Sequence, residues 1–370
     1  RTAAPWLALW DTALGPAIGA HALSYRGWVN EGLMSLFFFY VGLEIKKEMV
    51  EGSLASPRKA MLPCVAALGG MVVPMLVYAA VNRWAPGGSM AGVTIPMATD
   101  IAFAMGVFGF FRRRMPAVAE PFLLTLATVD DLGAILVIAA CFAGNLAPRF
   151  LMGAAAALVA ASHLGRHTVK RSSRGIAIPG VALWYCLLRG GLNADIAGFL
   201  AALCVPMRGK DGREVVERLI ERWAPVCGLL ILPLFALANC AVPLGGVGDA
   251  LAGGGWGVPA GVGLGLLLGK PVGILSFSLL AARTGLASMP PGLGKRHVAI
   301  CGLLGSIGFT MCLFLIENSL SGRVAEITKV AMLLASLTGA VVSALLMRMQ
   351  PRLPAGPEKA NKADGAALAP

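Results

Sequence analysis

Apolar residues fall along the chain in long blocks separated by short stretches rich in charged residues, Pro or Gly. A helix needs about 20 apolar residues to cross the roughly 30 Å hydrocarbon core of a bilayer, so each block reads as a span. The blocks lie at about 30–50, 60–82, 92–111, 118–143, 150–165, 175–190, 193–207, 223–242, 256–282, 297–317 and 325–348, eleven in all. Before them, residues 1–29 mix Trp6, Trp10, Tyr25 and Trp28 with Pro and Gly, the composition of an interfacial lead-in. After them, residues 351–370 form an Ala/Pro/Lys tail of low complexity, expected to be disordered. The expected organisation is a lead-in at 1–29, a transmembrane domain at 30–350 and a tail at 351–370, within an all-α polytopic membrane protein.

Two blocks are broken from within. Pro96 interrupts 92–111 just before Ala98-Thr99-Asp100, and Gly302, Gly305, Ser306 and Gly308 loosen 297–317. They are the third block and the second from the end. Interrupted helices in corresponding positions of two halves point to an inverted-repeat transporter with its ion site near the midplane. The plainer account is that Gly and Pro are common in membrane helices.

Composition agrees with the blocks. The 370 residues are 57% hydrophobic and 14% charged with a mean hydropathy of +0.75, which leaves no room for a sizeable soluble domain or for catalysis within one. The net charge of +12 raises nucleic acid as a partner, but placement decides otherwise. Threading the eleven spans from an outside start puts 23 of the 31 Lys and Arg on one side, seven on the other, and Lys270 alone inside a span. The 23-residue side is cytoplasmic by the positive-inside rule, and the C-terminus lies there. A cytoplasmic N-terminus would require one more helix upstream of Arg1, and such a segment is expected to be missing. The first residues are not a signal peptide. Eight cysteines without a Cys-x-x-Cys pair read as free thiols.

Ionisable residues within the blocks are few: Asp100, Asp130, Asp131 and Lys270, with Glu44, Lys46, Lys47 and Glu48 near a cytoplasmic end. A carboxylate at a helix centre costs roughly 2.5–3.5 kcal/mol on insertion scales, so Asp130-Asp131 needs compensation by cations, water or protons. Adjacent helical residues diverge by about 100°, so one is expected to face a cavity and the other a protein cation. Carboxylates that exchange protons for cations suit a proton-coupled carrier. Carboxylates, a Thr hydroxyl and unwound carbonyls suit a small hard cation such as Na⁺ or Li⁺. Lys270 follows Gly257, Gly261, Gly265 and Gly269, a small-residue stripe that lets a neighbouring helix come close and delivers the ammonium into the bundle, where it pairs with an aspartate. Asp100 and a lysine beside the breaks would neutralise the facing half-helix ends.

Other motifs fail. Gly265–Lys270 has the wrong Gly spacing for a P-loop, and Pro271 replaces its Ser/Thr. Gly246-Val247-Gly248-Asp249 matches a string of intramembrane aspartyl proteases but falls in an external loop and reads as a turn. His163 and His167 sit among basic residues at a solvated cytoplasmic end.

Several strings occur in a defined order: WVNEGLMSLFFFYVGLEIKKEMVEGSLAS at 28–56, IPMATDIAFAMGV at 95–107, TVDDLGAI at 128–135, LPLFALAN at 232–239, GLLLGKPVGI at 265–274 and IGFTMCLFLIE at 307–317. With them the chain resembles the NhaA-type sodium/proton antiporters from about Trp28 to Arg348. The resemblance implies a pH-regulated, electrogenic inner-membrane antiporter that exchanges cytoplasmic Na⁺ or Li⁺ for a larger number of protons and uses no cofactor. It implies a twelve-helix inverted-repeat bundle with two discontinuous crossing helices, the first helix absent here, and a homodimer in the lipid bilayer. By that resemblance Asp131 is the cation-binding carboxylate, Asp130 its proton-exchanging neighbour, and Lys270 the lysine that pairs with an aspartate. Thr99 and Asp100 lie in the break, and Glu44, Lys47 and Glu48 form the cytoplasmic cluster linked with pH regulation. Two departures stand out: Lys47 where Arg is expected, a point charge in place of a fork, and Asp211 where some members carry His. The competing readings are an intramembrane aspartyl protease using Asp100 and Asp131, and a sodium-coupled organic-anion symporter of similar fold, for which no polar substrate pocket is visible in the sequence.

Overall fold

The computed structural model describes residues 3–18, 21–141, 146–167, 174–208, 214–242 and 255–351. The Gly-x-Gly-Asp string at 246–249, Asp211, and the tail from 352 onward lie outside the described residues, as does the side chain of His167.

The lead-in is more ordered than its composition suggests. Helix α1 (Ala3–Asp11) is followed by an antiparallel hairpin of β1 (Ala13–Ile18) and β2 (His21–Ser24). Trp28 donates from its ring nitrogen to Leu14 O at 2.8 Å and stacks on Trp184, with ring centroids 6.1 Å apart. Among the described residues, every element after the hairpin is a helix or helical turn, apart from one isolated bridge between Arg208 and Glu214. A π-helical turn, Trp28–Leu33, leads into α2 (Met34–Val50), then come α3 (Pro57–Trp84), α4 (Ile101–Phe110), α5 (Ala119–Cys141), α6 (Pro148–His167), α7 (Arg174–Gly190) and α8 (Asp195–Cys204). Next follow α9 (Val215–Val226), a π-turn into α10 (Leu232–Asn239), α11 (Gly257–Leu264), a π-turn over Gly265–Gly269 and α12 (Lys270–Arg283). The series closes with α13 (Lys295–Gly305), α14 (Phe309–Ser319) and α15 (Gly322–Met349).

Each apolar block holds one of these helices or a broken pair. Among the described residues, six segments are long and apolar enough to cross a membrane: 57–84, 90–110, 119–141, 215–239, 257–283 and 322–349. Counting α13 and α14, bent by 47° at their junction, as one span makes seven. Others fall short for visible reasons. Helix α2 has 17 residues and carries Glu44, Lys46, Lys47 and Glu48, and α8 has 10. The protein is an all-α polytopic membrane protein with a small hairpin near its start.

The glycine stripe does what close packing requires. A Cβ at Gly265 would lie 2.8 Å from the Pro96 side chain, one at Gly269 2.7 Å from Pro74 Cα, and one at Gly273 only 2.1 Å from Gly69 O. The segment 257–283 therefore lies directly on α3 and on the break after Pro96, with no side chains between.

The buried apolar residues fall into four clusters among the described residues, and α5 contributes to the two largest. Phe122, Leu123 and Leu126 join one with Phe108 and Leu304, whereas Ala134, Ile135 and Ile138 join the other with Phe38 and Phe314. Asp130 and Asp131 fall between them, in the polar layer beside the two breaks.

Candidate functional site

The two breaks touch. Chain 95–97 forms a short 3-10 turn, and Ala98 and Asp100 are extended before α4 begins. Opposite, α13 ends at Gly305 and α14 starts at Phe309. The Asp100 N–H donates to Ile307 O at 2.7 Å, and the Thr99 hydroxyl donates to Gly305 O at 2.9 Å. These bonds satisfy carbonyls that the interruption of α13 leaves without a helical partner.

Asp100 caps two helices at once. Its Oδ1 accepts from Phe103 N at 3.2 Å, in the first turn of α4, and its Oδ2 accepts from Thr310 N at 3.0 Å and from the Thr310 hydroxyl, in the first turn of α14. One carboxylate thus meets the positive ends of both half-helices. The negative end is met by Lys270, whose Nζ donates to Met97 O at the close of the 3-10 turn. Thr310 is a partner of Asp100 that the sequence does not single out. Thr310 lies inside the string at 307–317 but carries no charge to mark it.

Lys270 also donates to Asp130 Oδ2 at 2.8 Å, and both side chains are fully buried, at 0% and 1% exposure. The π-turn that precedes Lys270 adds a residue to the helical turn and lies against Pro74 and Pro96. Asp131 points elsewhere. It is buried, and its Oδ1 has no hydrogen-bond partner among the described residues. The pair therefore separates as its 100° divergence requires: one carboxylate neutralised by protein, the other not.

The ionisable residues near the end of α2 bond to different partners. Glu44 accepts from the Tyr40 hydroxyl at 2.5 Å, and Lys47 pairs with Glu217 on α9 at 2.6 Å. Glu48 accepts from Ser53 N at 2.8 Å and from the Thr125 hydroxyl at 2.7 Å. Thr125 is on α5, so Glu48 is the member tied to the helix that carries Asp130 and Asp131. Lys46 is engaged with carbonyls of Leu203 and Val205 at the end of α8.

Two further ionisable groups lay at block edges and were not recognised as buried. Lys329 of α15 pairs with Glu317 of α14. Asp195, at the start of α8, is 2% exposed with both oxygens unpartnered. Among the described residues no group of three or more His, Cys, Asp or Glu could hold a metal ion, and the eight cysteines are free thiols.

The family model described as Na+/H+ antiporter 1 matches residues 1–347. The chain belongs to that family. It is 40% identical over 328 residues to the Na(+)/H(+) antiporter NhaA of Actinobacillus pleuropneumoniae, covering 87% of this chain and 82% of the relative. To the same-named proteins of Shewanella amazonensis and Cronobacter sakazakii it is 42% and 41% identical, over 85% and 87% of this chain and 80% and 82% of theirs. Members of the Na+/H+ antiporter family are transporters, not enzymes.

Proposed function

We propose that the protein is a secondary transporter that exchanges cytoplasmic Na⁺ or Li⁺ for external protons, electrogenically, by alternating access around Asp130 and Asp131. The observation that carries this reading is a pair of adjacent buried carboxylates of which Lys270 neutralises one. With Asp130 and Lys270 balanced, Asp131 is the site's uncompensated acid, and it takes either a cation or a proton but not both. Competition for that one carboxylate is what exchange requires.

In this reading Asp131 binds the cation with help from Asp130 and from Thr99, whose hydroxyl gives its proton to Gly305 O and keeps its lone pairs free for a cation. Asp130 exchanges a second proton when its bond to Lys270 breaks, so more protons than cations move. Asp100 and Lys270 hold the half-helix ends in place. Glu44, Lys47 and Glu48 convey cytoplasmic pH to the site, Glu48 by the direct route through Thr125. The broken helices cross at the centre of an inverted-repeat bundle of eleven spans in this chain. The protein sits in a bacterial inner membrane as a homodimer, with the C-terminus in the cytoplasm.

The protease reading requires Asp100 and Asp131 to share a water. The carboxylate of Asp100 is instead committed to Phe103 and Thr310, which argues against it. The test is Na⁺-induced pH change in everted vesicles. Wild type exchanges, Asp131→Asn abolishes both exchange and Na⁺ binding, and Asp130→Asn abolishes exchange. Robust exchange by both variants would refute the central claim.

A further inference from the structure

Asp195 is a buried acid for which the exchange site has no use. Both of its carboxyl oxygens are shut off from solvent and lack hydrogen-bond partners. Around it, Phe38, Ile135, Ile138 and Ile196 close a cleft with no room for a water-sized sphere. No lysine or arginine among the described residues pairs with it. The charged group within electrostatic reach is another acid, Glu31 on the π-turn before α2, whose carbonyl accepts from the Trp184 ring nitrogen at 2.8 Å. An ionised carboxylate sealed among apolar side chains without donor or cation is costly, so the cleft closes over a neutral acid.

Its position gives that acid a use. Ile135 and Ile138 follow Asp131 on α5 at i+4 and i+7, the same face of the helix. Asp195 thus lies along the line of Asp131, displaced by roughly 10 Å of helix rise toward the end that the proposed topology makes external. The turn that holds it is tied to the broken helix: Asn193 Oδ1 accepts from Asp195 N at 2.9 Å, and Asn193 Nδ2 donates to Asn318 at 3.4 Å. Asn318 ends the same α14 whose first turn binds Asp100, so movement of that half-helix reaches both sites.

We infer that Asp195 is a proton-binding carboxyl on the external access path, which takes up protons from outside and passes them to the Asp131 site when α14 moves and the cleft opens. The inference rests on the antiport reading above. In the step, the O–H bond of Asp195 breaks and leaves a carboxylate, the proton crosses by water admitted to the open cleft, and an O–H bond forms on the Asp131 carboxylate. Asp195 is then reloaded from the external medium. Phe38, Ile135, Ile138 and Ile196 are the apolar groups that close over it, and Glu31 is the neighbouring acid.

The experiment compares wild type, Asp195→Asn and Asp195→Glu in proteoliposomes, with exchange measured as a function of external pH and Na⁺ binding measured separately by thermal stabilisation. A lost proton collector matters most where external protons are scarce. Asp195→Asn is therefore expected to bind Na⁺ as wild type does while its half-maximal exchange shifts to more acidic external pH, and Asp195→Glu is expected to restore the profile. An Asp195→Asn profile superimposable on wild type would overturn the inference, and so would joint loss of Na⁺ binding and exchange. If wild type itself moved no protons in response to Na⁺, the antiport reading would fall and take this one with it.

Discussion

At the scale of single residues, the energetics of the site turn on Lys270. A buried charge pair in the apolar interior gains Coulomb energy that roughly offsets its desolvation, but removing one member leaves the other uncompensated. Lys270→Ala would strand Asp130, and at about 3–5 kcal/mol this is among the largest effects expected from one substitution here. Thermal unfolding in detergent measures it. Adding Asp130→Asn to Lys270→Ala removes the stranded charge and should recover part of the loss. A double variant as unstable as the sum of the two single variants would mean that they do not interact. By contrast Lys47 and Glu217, each about two-fifths exposed at 38% and 41%, form a surface pair, and such pairs contribute little to stability.

At the scale of elements, the broken helices are held by polar groups that have no partner within their own helix. Asp100 serves Phe103 and Thr310, Thr99 serves Gly305, and Lys270 serves Met97. Losing an N-cap costs about 1 kcal/mol, so Asp100→Ala, which uncaps two helices, is expected to destabilise by about 2 kcal/mol, whereas Asp100→Asn retains an acceptor and costs less. Equal melting temperatures for the two variants would show that the caps do not matter. The positions at the breaks were legible in sequence, since Pro96, Gly305 and Gly308 are poor helix residues wherever they stand. Their partners were not, because Thr310 is a plain residue in an apolar string until the fold sets it opposite Asp100.

At the scale of the whole molecule, orientation follows from charge. The basic loops, including Arg112–Arg114 between the first broken segment and α5, collect on the side read as cytoplasmic. A cysteine introduced at Arg113, in a background without the eight native cysteines, should react with a membrane-impermeant thiol reagent in everted vesicles and stay unlabelled in intact cells. The reverse result would invert the topology and with it the direction assigned to exchange. The apolar blocks also set the limit of counting from sequence. The blocks hold helices among the described residues, yet α2 carries four charged residues near its end and α8 is 10 residues long, about 15 Å of rise, so their membrane role rests on packing against neighbours, not on length.

Sequence alone determined the membrane class, the apolar blocks, the two interruptions and the candidate residues Asp100, Asp130, Asp131 and Lys270, because each follows from local composition and from the cost of charge in hydrocarbon. It also required Asp130 and Asp131 to face different ways. Which of them meets the lysine was decided only by tertiary structure, since that depends on where a glycine-lined helix, 140 residues further along the chain, comes to rest against α3 and the break. The same holds for Asp195: near the start of the block at 193–207 nothing in the sequence marks it, and only the packing of Phe38, Ile135 and Ile138 around it makes it a buried acid.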